Sequence, residues 1–336
     1  MLHIGYDKLL ARMLGTEREE LLDVLDRADD YYEELILHNP EKPNKKRTVV
    51  CVRGKLRKFQ ERFYRGVLLR KLPISPHSHG GVRKRNIKTN AKPHLKSRFV
   101  FTLDIQDFYP SIKQKRIYRL FNQNLECSSR VASLCTRLCT YNHELSLGLV
   151  TSPFLANQIM LQVDKRIEGL CNKANLKYSR FVDDMTISGP FDFQASGIPN
   201  LIDQILKESG FTPHPDKYQY GEIEDGFAIT CIRRNSRGNI DVESNYARKV
   251  EQQLAFAIEL SKGHWPDPTA LYYTSNQIRG RIYFIKWINR DRGNRLLKIY
   301  RSIDWNRVDE EAQRLKLVIA KKQLVKIQND LVSEPV

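Results

Sequence analysis

Acidic residues set in or beside apolar runs of strand length constrain the fold of this chain more than any other feature. Asp104 lies in the run from Phe99 to Ile105, and Asp183-Asp184 lie in the middle of the run from Tyr178 to Ile187. An apolar run of four to eight residues is typical of a buried strand. Burying a carboxylate without a cation or hydrogen-bond donors is energetically costly. We therefore expect neighbouring strands whose acids meet at one point.

These carboxylates are candidates for a magnesium site. Magnesium prefers hard oxygen ligands, often a few carboxylates completed by substrate phosphates, and nucleotidyl transfer uses two such ions roughly 4 Å apart. An Asp-Asp dipeptide alone is more often a solvated turn, but solvated turns seldom have apolar residues on both sides. Here those residues are Phe181, Val182, Met185 and Ile187. Asp107 could be a further ligand, although we favour a role in capping the helix expected near Pro110.

The rest of the sequence predicts a mixture of helices and strands. An amphipathic helix with an acidic polar face is expected from residue 1 to about 40, followed by a short strand at 47–52. A basic helix is expected from about 56 to 71, and another helix begins at Pro110. Apolar periodicity predicts further helices over 131–140, 153–170, 201–209, 246–260 and 306–331.

Positive charge is concentrated in one segment. The 56 Lys and Arg exceed the 39 Asp and Glu by 17, and residues 45–98 contain eighteen Lys and Arg against one acid, Glu61. The plain alternative for such a run is a solvated surface. Apolar residues at helical spacing within it instead predict a folded helix with one basic face, and they are Phe59, Phe63, Tyr64, Val67, Leu68 and Leu69. This charge predicts a polyanionic partner.

Other sequence features bear on the compartment. The six cysteines form no CxxC pair, and no His lies beside them at zinc-ligand spacing, which favours reduced and mostly buried thiols in a cytoplasmic protein. Asp7, Lys8 and Arg12 interrupt any signal-peptide core. Because the sequence has no run of 18 apolar residues, we expect no membrane-spanning segment.

Five blocks occur in an order that resembles the palm of reverse transcriptases, and the resemblance covers nearly the whole chain. The blocks are FTLDIQDFYPSI, LGLVTSPFLANQIM, FVDD, GFTPHPDK and a terminal basic helical region. The resemblance implies an α+β right-hand polymerase fold with fingers, a palm of antiparallel sheet plus helices, and a helical thumb. N-terminal helices and fingers would cover residues 1–98, the palm with part of the fingers 99–231, and the thumb 232–336.

The same resemblance implies catalytic roles. Asp104 and Asp183 would bind two magnesium ions directly, and Asp184 would assist. The carbonyl of Ile105 would complete the ion on the triphosphate side. Lys217 would protonate or neutralise the departing pyrophosphate, unless it is a plain surface lysine.

Nucleotide-binding residues also follow from the resemblance. Tyr109 would be the ring that excludes a ribonucleotide 2′-hydroxyl, with a core tyrosine as the alternative. Gly148 and Ser152 lie in the block whose backbone contacts the new base pair. Arg47, with Lys46, would bind the incoming triphosphate, because the Arg fork matches phosphate oxygens.

One group of reverse transcriptases is similar in further detail. Retron enzymes are bacterial and copy part of a dedicated structured RNA into a small single-stranded DNA. Asn90-Ala-Lys-Pro-His94 is similar to their NAxxH element, and the segment from Gln277 to Phe284 is similar to part of their thumb. Asn90 and His94 are therefore candidates for nucleic-acid binding. A hydrogen-bonded structural histidine is the open alternative for His94.

The sequence departs from the family pattern at three places. Ser146-Leu147 replaces the usual Pro-Gln, so a polar contact to the template or nucleotide is either missing or supplied by another residue. Phe181-Val182 replaces Tyr followed by Ala or Met, which keeps the shape and loses a hydroxyl. Cys231 replaces the glycine of the retron Val-Thr-Gly, so the usual RNA-recognition role of that tripeptide is in doubt here.

The proposed thumb has the composition of a nucleic-acid surface. Residues 279–301 contain eight Lys and Arg against one acid, interleaved with Tyr and Trp. Phosphate contacts combined with aromatic stacking suit a structured RNA or hybrid duplex, whereas a solvated helix would not need so many aromatics. The basic residues predicted to bind RNA or DNA are Arg279, Arg281, Lys286 and Arg290.

The function implied is an RNA-directed DNA polymerase that reverse transcribes a structured noncoding RNA, both template and primer, into small single-stranded DNA (msDNA). Its ligands would be deoxynucleoside triphosphates, an RNA–DNA hybrid and the DNA product. An effector protein would join it in antiphage defence in a bacterial cytoplasm. The alternatives are another defence-associated reverse transcriptase without a retron RNA, and a non-catalytic RNA-binding scaffold.

Overall fold

A computed structural model describes residues 2–39, 42–264 and 273–314 of the 336-residue chain. Two compact units are present, Met1–Thr230 and Cys231–Val336. The helices of the first unit are α1 (Asp7–Met13), α2 (Arg18–Asp26), α3 (Gly54–Arg62), α4 (Leu69–Lys71), α5 (Ile87–Ala91), α6 (Phe108–Ser111), α7 (Gln114–Arg119), α8 (Ser129–Cys139), α9 (Ser152–Lys173) and α10 (Ile198–Glu208). Its strands are β1 (Tyr32–Asn39), β2 (Lys42–Val52), β3 (Phe99–Leu103), β4 (Lys177–Phe181), β5 (Asp184–Gly189) and β6 (Gln219–Glu222).

A four-stranded antiparallel sheet lies at the centre of the first unit, in the order β4-β5-β3-β6. The predicted strands that carry the acids are confirmed as β3, β4 and β5. Both faces of this sheet are covered along β5, whose residues Met185 to Gly189 are buried. Helix α9 packs against β4 and α10. The first residue of β5, Asp184, is exposed where this covered strand begins.

The N-terminal region differs from the prediction. A helix to about residue 40 is wrong, because α1 and α2 are followed by the strand β1, which pairs with β2. Gly15, in the left-handed region at φ 66°, ends the first helical stretch. The strand predicted at 47–52 is confirmed within β2. Helical periodicity in β1 was misleading, since pairing with a distant strand overrides a local pattern.

The predicted basic helix is confirmed as α3, a π-helical stretch at Phe63–Leu68, and α4. Leu56, Phe59, Phe63 and Val67 form its buried stripe, while basic side chains occupy the exposed face. Such π-helical segments are rare in proteins.

The predicted helices at 131–140, 153–170 and 201–209 are confirmed as α8, α9 and α10. The buried thiols expected from the sequence are Cys127, Cys135, Cys139 and Cys171, and all six cysteines are outside disulfides.

The second unit contains a two-stranded sheet and helices. Its elements are β7 (Ile232–Arg234), β8 (Ile240–Val242), α11 (Ser244–Ser261), α12 (Ser275–Ile288) and α13 (Arg290–Arg301). Residues 305–314 are also helical, and the remainder of the helix predicted to residue 331 lies outside the described residues. The buried Asp241 carboxylate accepts from Arg292 at 3.3 Å and Asn289 at 3.1 Å, which ties β8 to the start of α13.

Candidate active site

The acids predicted to meet do lie together, and the strand register is the reason. Leu103, the last residue of β3, pairs with Met185 in β5. Continuing this antiparallel register by one residue places Asp104 beside Asp184. Both acids line one cleft of about 300 Å³. Asp183 lies next to them in the turn that joins β4 to β5.

The turn that carries Asp183 is short and strained. Phe181 pairs with Asp184, so Val182 and Asp183 are its two central residues. Val182 has a φ of 63°, a left-handed conformation that is unfavourable for a β-branched side chain. The Arg180 guanidinium donates to the Val182 carbonyl at 2.6 Å. A strained turn of this kind persists only where surrounding contacts fix it.

Electrostatics at the turn favour a bound cation. Asp184 is exposed to solvent at the cleft, but the protein packed around it, followed by the neighbouring Asp183 carboxylate, raises its pKa to about 6. Burial, and then the same Asp183 carboxylate, raise the pKa of Tyr109 to about 12. Tyr109 therefore lies within electrostatic reach of the acids, half-buried beside Phe108. Concentrated negative charge of this kind is relieved by a cation.

Lys217 is brought to Asp104 by backbone bonds to the chain around it. His214 N donates to the Asp104 carbonyl at 2.9 Å, and Gln106 N donates to the Thr212 carbonyl at 2.8 Å. The short helical turn Pro215–Lys217 then presents the lysine, whose ammonium forms an ion pair with the Asp104 carboxylate. The alternative of a plain surface lysine is not favoured by this contact. The same bonds hold the backbone on both sides of Ile105.

The donor set fits a divalent cation that is completed by substrate. Within the described residues, no group of three or more His, Cys, Asp or Glu side chains is gathered in a metal-binding arrangement. Magnesium sites in phosphate-handling enzymes commonly use one or two carboxylates together with substrate phosphates. Asp104 and Asp184 in one cleft, with Asp183 at its edge, match that requirement. The Lys217 ammonium already shows that a cation is accommodated beside Asp104.

Gly148 and Ser152 differ in accessibility. Gly148 has a φ of 107°, and a Cβ there would lie 2.4 Å from the Val50 carbonyl oxygen. Val50 N also donates to the Leu147 carbonyl at 2.8 Å, so this segment is fastened to β2. Ser152 is fully buried at the start of α9, whereas Gly148 is exposed.

Lys46 and Arg47 are exposed on β2. Arg47 pairs with Leu37 of β1 and lies three residues from Val50, which is roughly 10 Å along a strand. Both side chains are therefore carried by the strand that contacts the segment before Gly148.

Asn90 and His94 are completely buried. The His94 ring nitrogens lie 2.7 Å from the hydroxyls of Ser188 and Ser179, and Ser179 donates to the Asn90 side-chain oxygen at 2.8 Å. Burial, followed by the charges of Lys177 and His79, lowers the pKa of His94 to about 3. Neither side chain is accessible to a nucleic acid in this structure, and the contacts favour the structural alternative for His94.

Three of the basic residues predicted in the second unit, Arg279, Arg281 and Lys286, lie on α12, and Arg290 is the first residue of α13. Ile278, Ile282, Ile285 and Ile288 form the buried stripe of α12, which leaves Arg279, Tyr283, Lys286 and Trp287 on the outer side. Tyr283 is 49% and Trp287 45% exposed, unusual values for such large rings. The remaining two predicted residues are Arg281, whose guanidinium lies over the Tyr273 ring at 4.2 Å, and the exposed Arg290.

Two groups of functional candidates were not found from the sequence. A basic cavity of about 360 Å³ lies in the first unit, lined in part by Lys58, Arg62, Arg65 and Arg70. Arg180 and Asp164 form a buried ion pair next to the β4–β5 turn. One feature of the sequence could have indicated Arg180, because it is a charged residue within an otherwise strand-like run. Arginine is rarely buried without a partner, so such a position predicts a buried ion pair.

Residues 38–251 match the family described as "Reverse transcriptase (RNA-dependent DNA polymerase)". The matched region covers more than half of the chain and includes β3, the β4–β5 turn and Lys217. The chain therefore belongs to the reverse transcriptase family, as the sequence motifs predicted.

Its curated relatives include retron enzymes. The chain is 30% identical over 279 residues to the retron Mx65 reverse transcriptase of Myxococcus xanthus, covering 77% of this chain and 62% of that protein. It is 34% identical over 149 residues to the retron Ec86 reverse transcriptase of Escherichia coli, covering 44% and 45%. It is 26% identical over 285 residues to the retron Mx162 reverse transcriptase of M. xanthus, covering 77% and 58%. The predicted resemblance to retron enzymes is confirmed, and the chain spans less than two thirds of each of these three relatives.

Within the described ranges, the helices are too short or too polar to cross a bilayer.

Proposed function

We propose that this protein is an RNA-directed DNA polymerase with Asp104, Asp183 and Asp184 at its catalytic centre. The observation that supports this most directly is the register of β3 against β5, which brings acids eighty residues apart in the sequence into one cleft. The first unit would form the fingers and palm, and the second unit the thumb. The mixed helices and antiparallel sheet of the chain agree with this assignment.

The acids would hold two magnesium ions, with Asp104 and Asp183 as direct ligands and Asp184 and the Ile105 carbonyl assisting. Bound magnesium would activate the primer hydroxyl and neutralise the triphosphate. Lys217 supplies a positive charge at the edge of the same cleft, where it would neutralise or protonate the departing pyrophosphate. Its present partner is the Asp104 carboxylate, so the lysine would exchange that partner for phosphate oxygens.

Deoxynucleoside triphosphate selection would depend on Tyr109 and on strand β2. Tyr109 lies near the Asp183 carboxylate and within the same structural region as the acids, which suits a ring that restricts the 2′ position of the sugar. Arg47 and Lys46 would bind the triphosphate from β2. Gly148 and the Ser152 backbone would lie against the new base pair.

The template would be a structured noncoding RNA that also supplies the primer, copied into small single-stranded DNA as in a retron. Support comes from the retron relatives and from the basic, aromatic surface of α12 and the start of α13, where Arg279, Arg281, Lys286 and Arg290 would contact RNA or the hybrid. Asn90 and His94 would act indirectly, by fixing the palm strands. An effector protein and a role in antiphage defence in the bacterial cytoplasm belong to the same proposal.

Polymerisation by the purified protein tests this proposal. Wild-type protein with magnesium, a primed RNA template and deoxynucleotides is expected to extend the primer, and Asp183→Asn is expected to reduce the rate at least about a hundredfold, because it removes a metal-binding charge. Asp216→Asn, in an acid that lines the same cleft without a proposed metal role, is the matched control and should stay within about threefold of wild type.

The outcomes separate the alternatives. No extension by wild-type protein, under conditions where a control polymerase works, would leave an RNA-binding scaffold. Full activity in Asp183→Asn would refute the metal assignment. Sequencing the nucleic acid that copurifies with the protein tests the retron proposal, because a covalent RNA–DNA hybrid from one locus is expected there and not from a defence-associated enzyme without a retron RNA.

A further inference from the structure

A buried ion pair lies directly beneath the catalytic turn. Arg180 is fully buried and Asp164 is 1% exposed. The Arg180 guanidinium donates to both Asp164 carboxylate oxygens, from Nε at 3.0 Å and from Nη2 at 2.9 Å. Tyr178 also donates to Asp164, at 2.8 Å. A two-pronged, charge-assisted pair of this kind has a fixed geometry.

The remaining guanidinium nitrogen of Arg180 reaches the turn itself. Its Nη1 donates to the Val182 carbonyl at 2.6 Å and to the Asn157 side-chain oxygen at 3.1 Å. Val182 is the strained residue that immediately precedes Asp183. One side chain thus connects the long helix α9, through Asp164 and Asn157, to the backbone that carries the catalytic acids.

A second segment of chain closes on the same turn. The Arg180 backbone exchanges hydrogen bonds with the segment 77–79, through Arg180 N to the His77 carbonyl at 2.8 Å and His79 N to the Arg180 carbonyl at 2.7 Å. Asn157 donates to the Gly80 carbonyl at 3.1 Å. A Cβ on Gly80 would lie 2.4 Å from a Val182 methyl group. The turn is therefore in contact with the segment 77–80 as well as with the Arg180 guanidinium.

We infer that Arg180 is a positioning residue, whose guanidinium holds the Val182–Asp183 turn in the conformation that presents Asp183 and Asp184 to the metal ions. The inference rests on the proposed polymerase function. A buried arginine whose only task was to neutralise Asp164 would not require the bond to Val182. The left-handed conformation of Val182 needs a compensating contact, and the 2.6 Å bond supplies one.

Arg180→Lys tests this inference, because lysine keeps the positive charge beside Asp164 and lacks the planar fork that also reaches Val182. The magnesium concentration for half-maximal polymerisation is expected to rise roughly tenfold, as for other residues that orient metal ligands. In the metal-free protein, amide hydrogen exchange across residues 177–189 should become faster. If the substitution only lowered the stability of the protein, the maximal rate would fall because fewer molecules are folded. The magnesium concentration for half-maximal polymerisation would then stay unchanged.

Arg292→Lys is the matched control. Arg292 is also an arginine paired with acids, Asp241 and Glu251, but it belongs to the second unit. It should change neither the magnesium midpoint nor exchange in residues 177–189. If Arg180→Lys does not fold, Asn157→Ala removes the second acceptor that orients Arg180 Nη1 toward the Val182 carbonyl and leaves the ion pair with Asp164 in place, so the same two readouts should change in the same direction.

Wild-type values for both readouts in the folded variant would overturn the inference. The exchange experiment needs neither metal nor activity, so it still reports on Arg180 if the wild-type protein proves unable to polymerise. In that case the proposed function fails, while faster exchange in Arg180→Lys would still show that this residue holds the turn.

Discussion

At the scale of single residues, the proposed site combines clustered acids, whose charge favours a cation, with a large aromatic side chain nearby. Asp104, Asp183 and Asp184 supply the charge, and Tyr109 is the largest side chain assigned to the nucleotide. Burial and the Asp183 carboxylate both raise the pKa of Tyr109, so the phenol stays neutral at physiological pH. A neutral ring can restrict space without adding charge beside the acids.

Removing the Tyr109 ring should admit ribonucleotides. In Tyr109→Ala, the ratio of kcat/KM for a deoxynucleotide to that for its ribonucleotide is expected to fall by roughly ten- to a hundredfold, since a steric contact worth about 1–3 kcal/mol is lost. Single-nucleotide incorporation kinetics with both substrates measure this. Tyr109→Phe keeps the ring and should retain the wild-type ratio, and an unchanged ratio in the alanine variant would refute the role of the ring.

Several residue roles could be read from the sequence, and others could not. Asp104 and Asp183-Asp184 could be identified from the sequence because the acids and the apolar residues that flank them are adjacent in the chain. The burial of Asn90 and His94 was not, because it depends on Ser179 and Ser188, about ninety residues away. Cys231 has a φ of 67°. The structure therefore explains why glycine is usual at that position, but not why cysteine replaces it.

At the scale of elements, strand β2, the pairing of β3 with β5 and the short helix α5 fix the parts of the site relative to each other. Strand β2 holds the segment containing Gly148 through the bond from Val50 to Leu147. Helix α5 carries Asn90. His94 follows this helix in the chain, and its ring contacts the hydroxyls of Ser179 in β4 and Ser188 in β5. Apolar patterning predicted the strands β3 and β5, and their acids predicted that the two are neighbours, but the register came from the structure. The pairing of β1 with β2 was not, because the local sequence of β1 has helical periodicity.

Gly148→Ala should disturb the junction with β2. The added Cβ would lie 2.4 Å from the Val50 carbonyl oxygen in a backbone conformation that favours glycine. We expect a loss of stability of about 2 kcal/mol or more, together with a lower kcat/KM for the deoxynucleotide. Chemical denaturation and steady-state kinetics measure these effects.

Gly197→Ala is the control for Gly148→Ala. Gly197 also has a positive φ, of 77°, but open space surrounds its Cβ position. It carries the conformational cost, about 1 kcal/mol, without the clash. Equal losses in the two variants would contradict a special role for the contact with β2.

Stability should depend on pH through His94. The pKa of His94 is lowered to about 3 in the folded protein, against about 6.5 in the unfolded chain. Below pH 6.5, His94 binds a proton in the unfolded chain but stays neutral in the folded protein. The contribution of His94 to the free energy of unfolding is therefore fully present above pH 6.5 and decreases as the pH falls toward 3. At pH 5 the loss from this group is about 2 kcal/mol.

Comparing urea denaturation at pH 7.5 and pH 5 in wild type and His94→Gln isolates this contribution, because other titrating groups are common to both proteins. The variant should be less stable at pH 7.5 and should lose about 2 kcal/mol less than wild type on acidification. Identical pH dependence in the two proteins would show that His94 is accessible to protons in the folded state.

At the scale of the whole molecule, an excess of 17 positive charges makes the chain suited to a polyanion. In the first unit, the cavity lined by Lys58, Arg62, Arg65 and Arg70 adds a concave basic surface that shares no lining residue with the cleft of Asp104. In the second unit, α12 adds cations between exposed aromatic rings. The total charge and the two basic segments were evident from the sequence, whereas the cavity formed by Lys58, Arg62, Arg65 and Arg70 required the folded chain.

RNA binding should therefore weaken with salt in proportion to the phosphates contacted. Changing Arg279 and Lys286 together to alanine is expected to make the plot of log affinity against log salt shallower by roughly 1.5, since each lost phosphate contact removes about 0.7–0.9 from the slope. Fluorescence anisotropy with the copurifying RNA measures this. Changing Lys173 and Lys207, exposed on α9 and α10, provides a control of equal charge, and equal slopes in the two double variants would refute an RNA contact at α12.

The ion pair between Lys217 and Asp104 has a consequence for the order in which the polypeptide folds and binds metal. Asp104 is only 5% exposed, and a carboxylate so enclosed would oppose folding if it stood alone. The lysine acts as a resident counter-ion, so the polypeptide can reach its final form before any magnesium is captured. Newly made protein would then be fully folded but inactive until nucleotide and metal bind together.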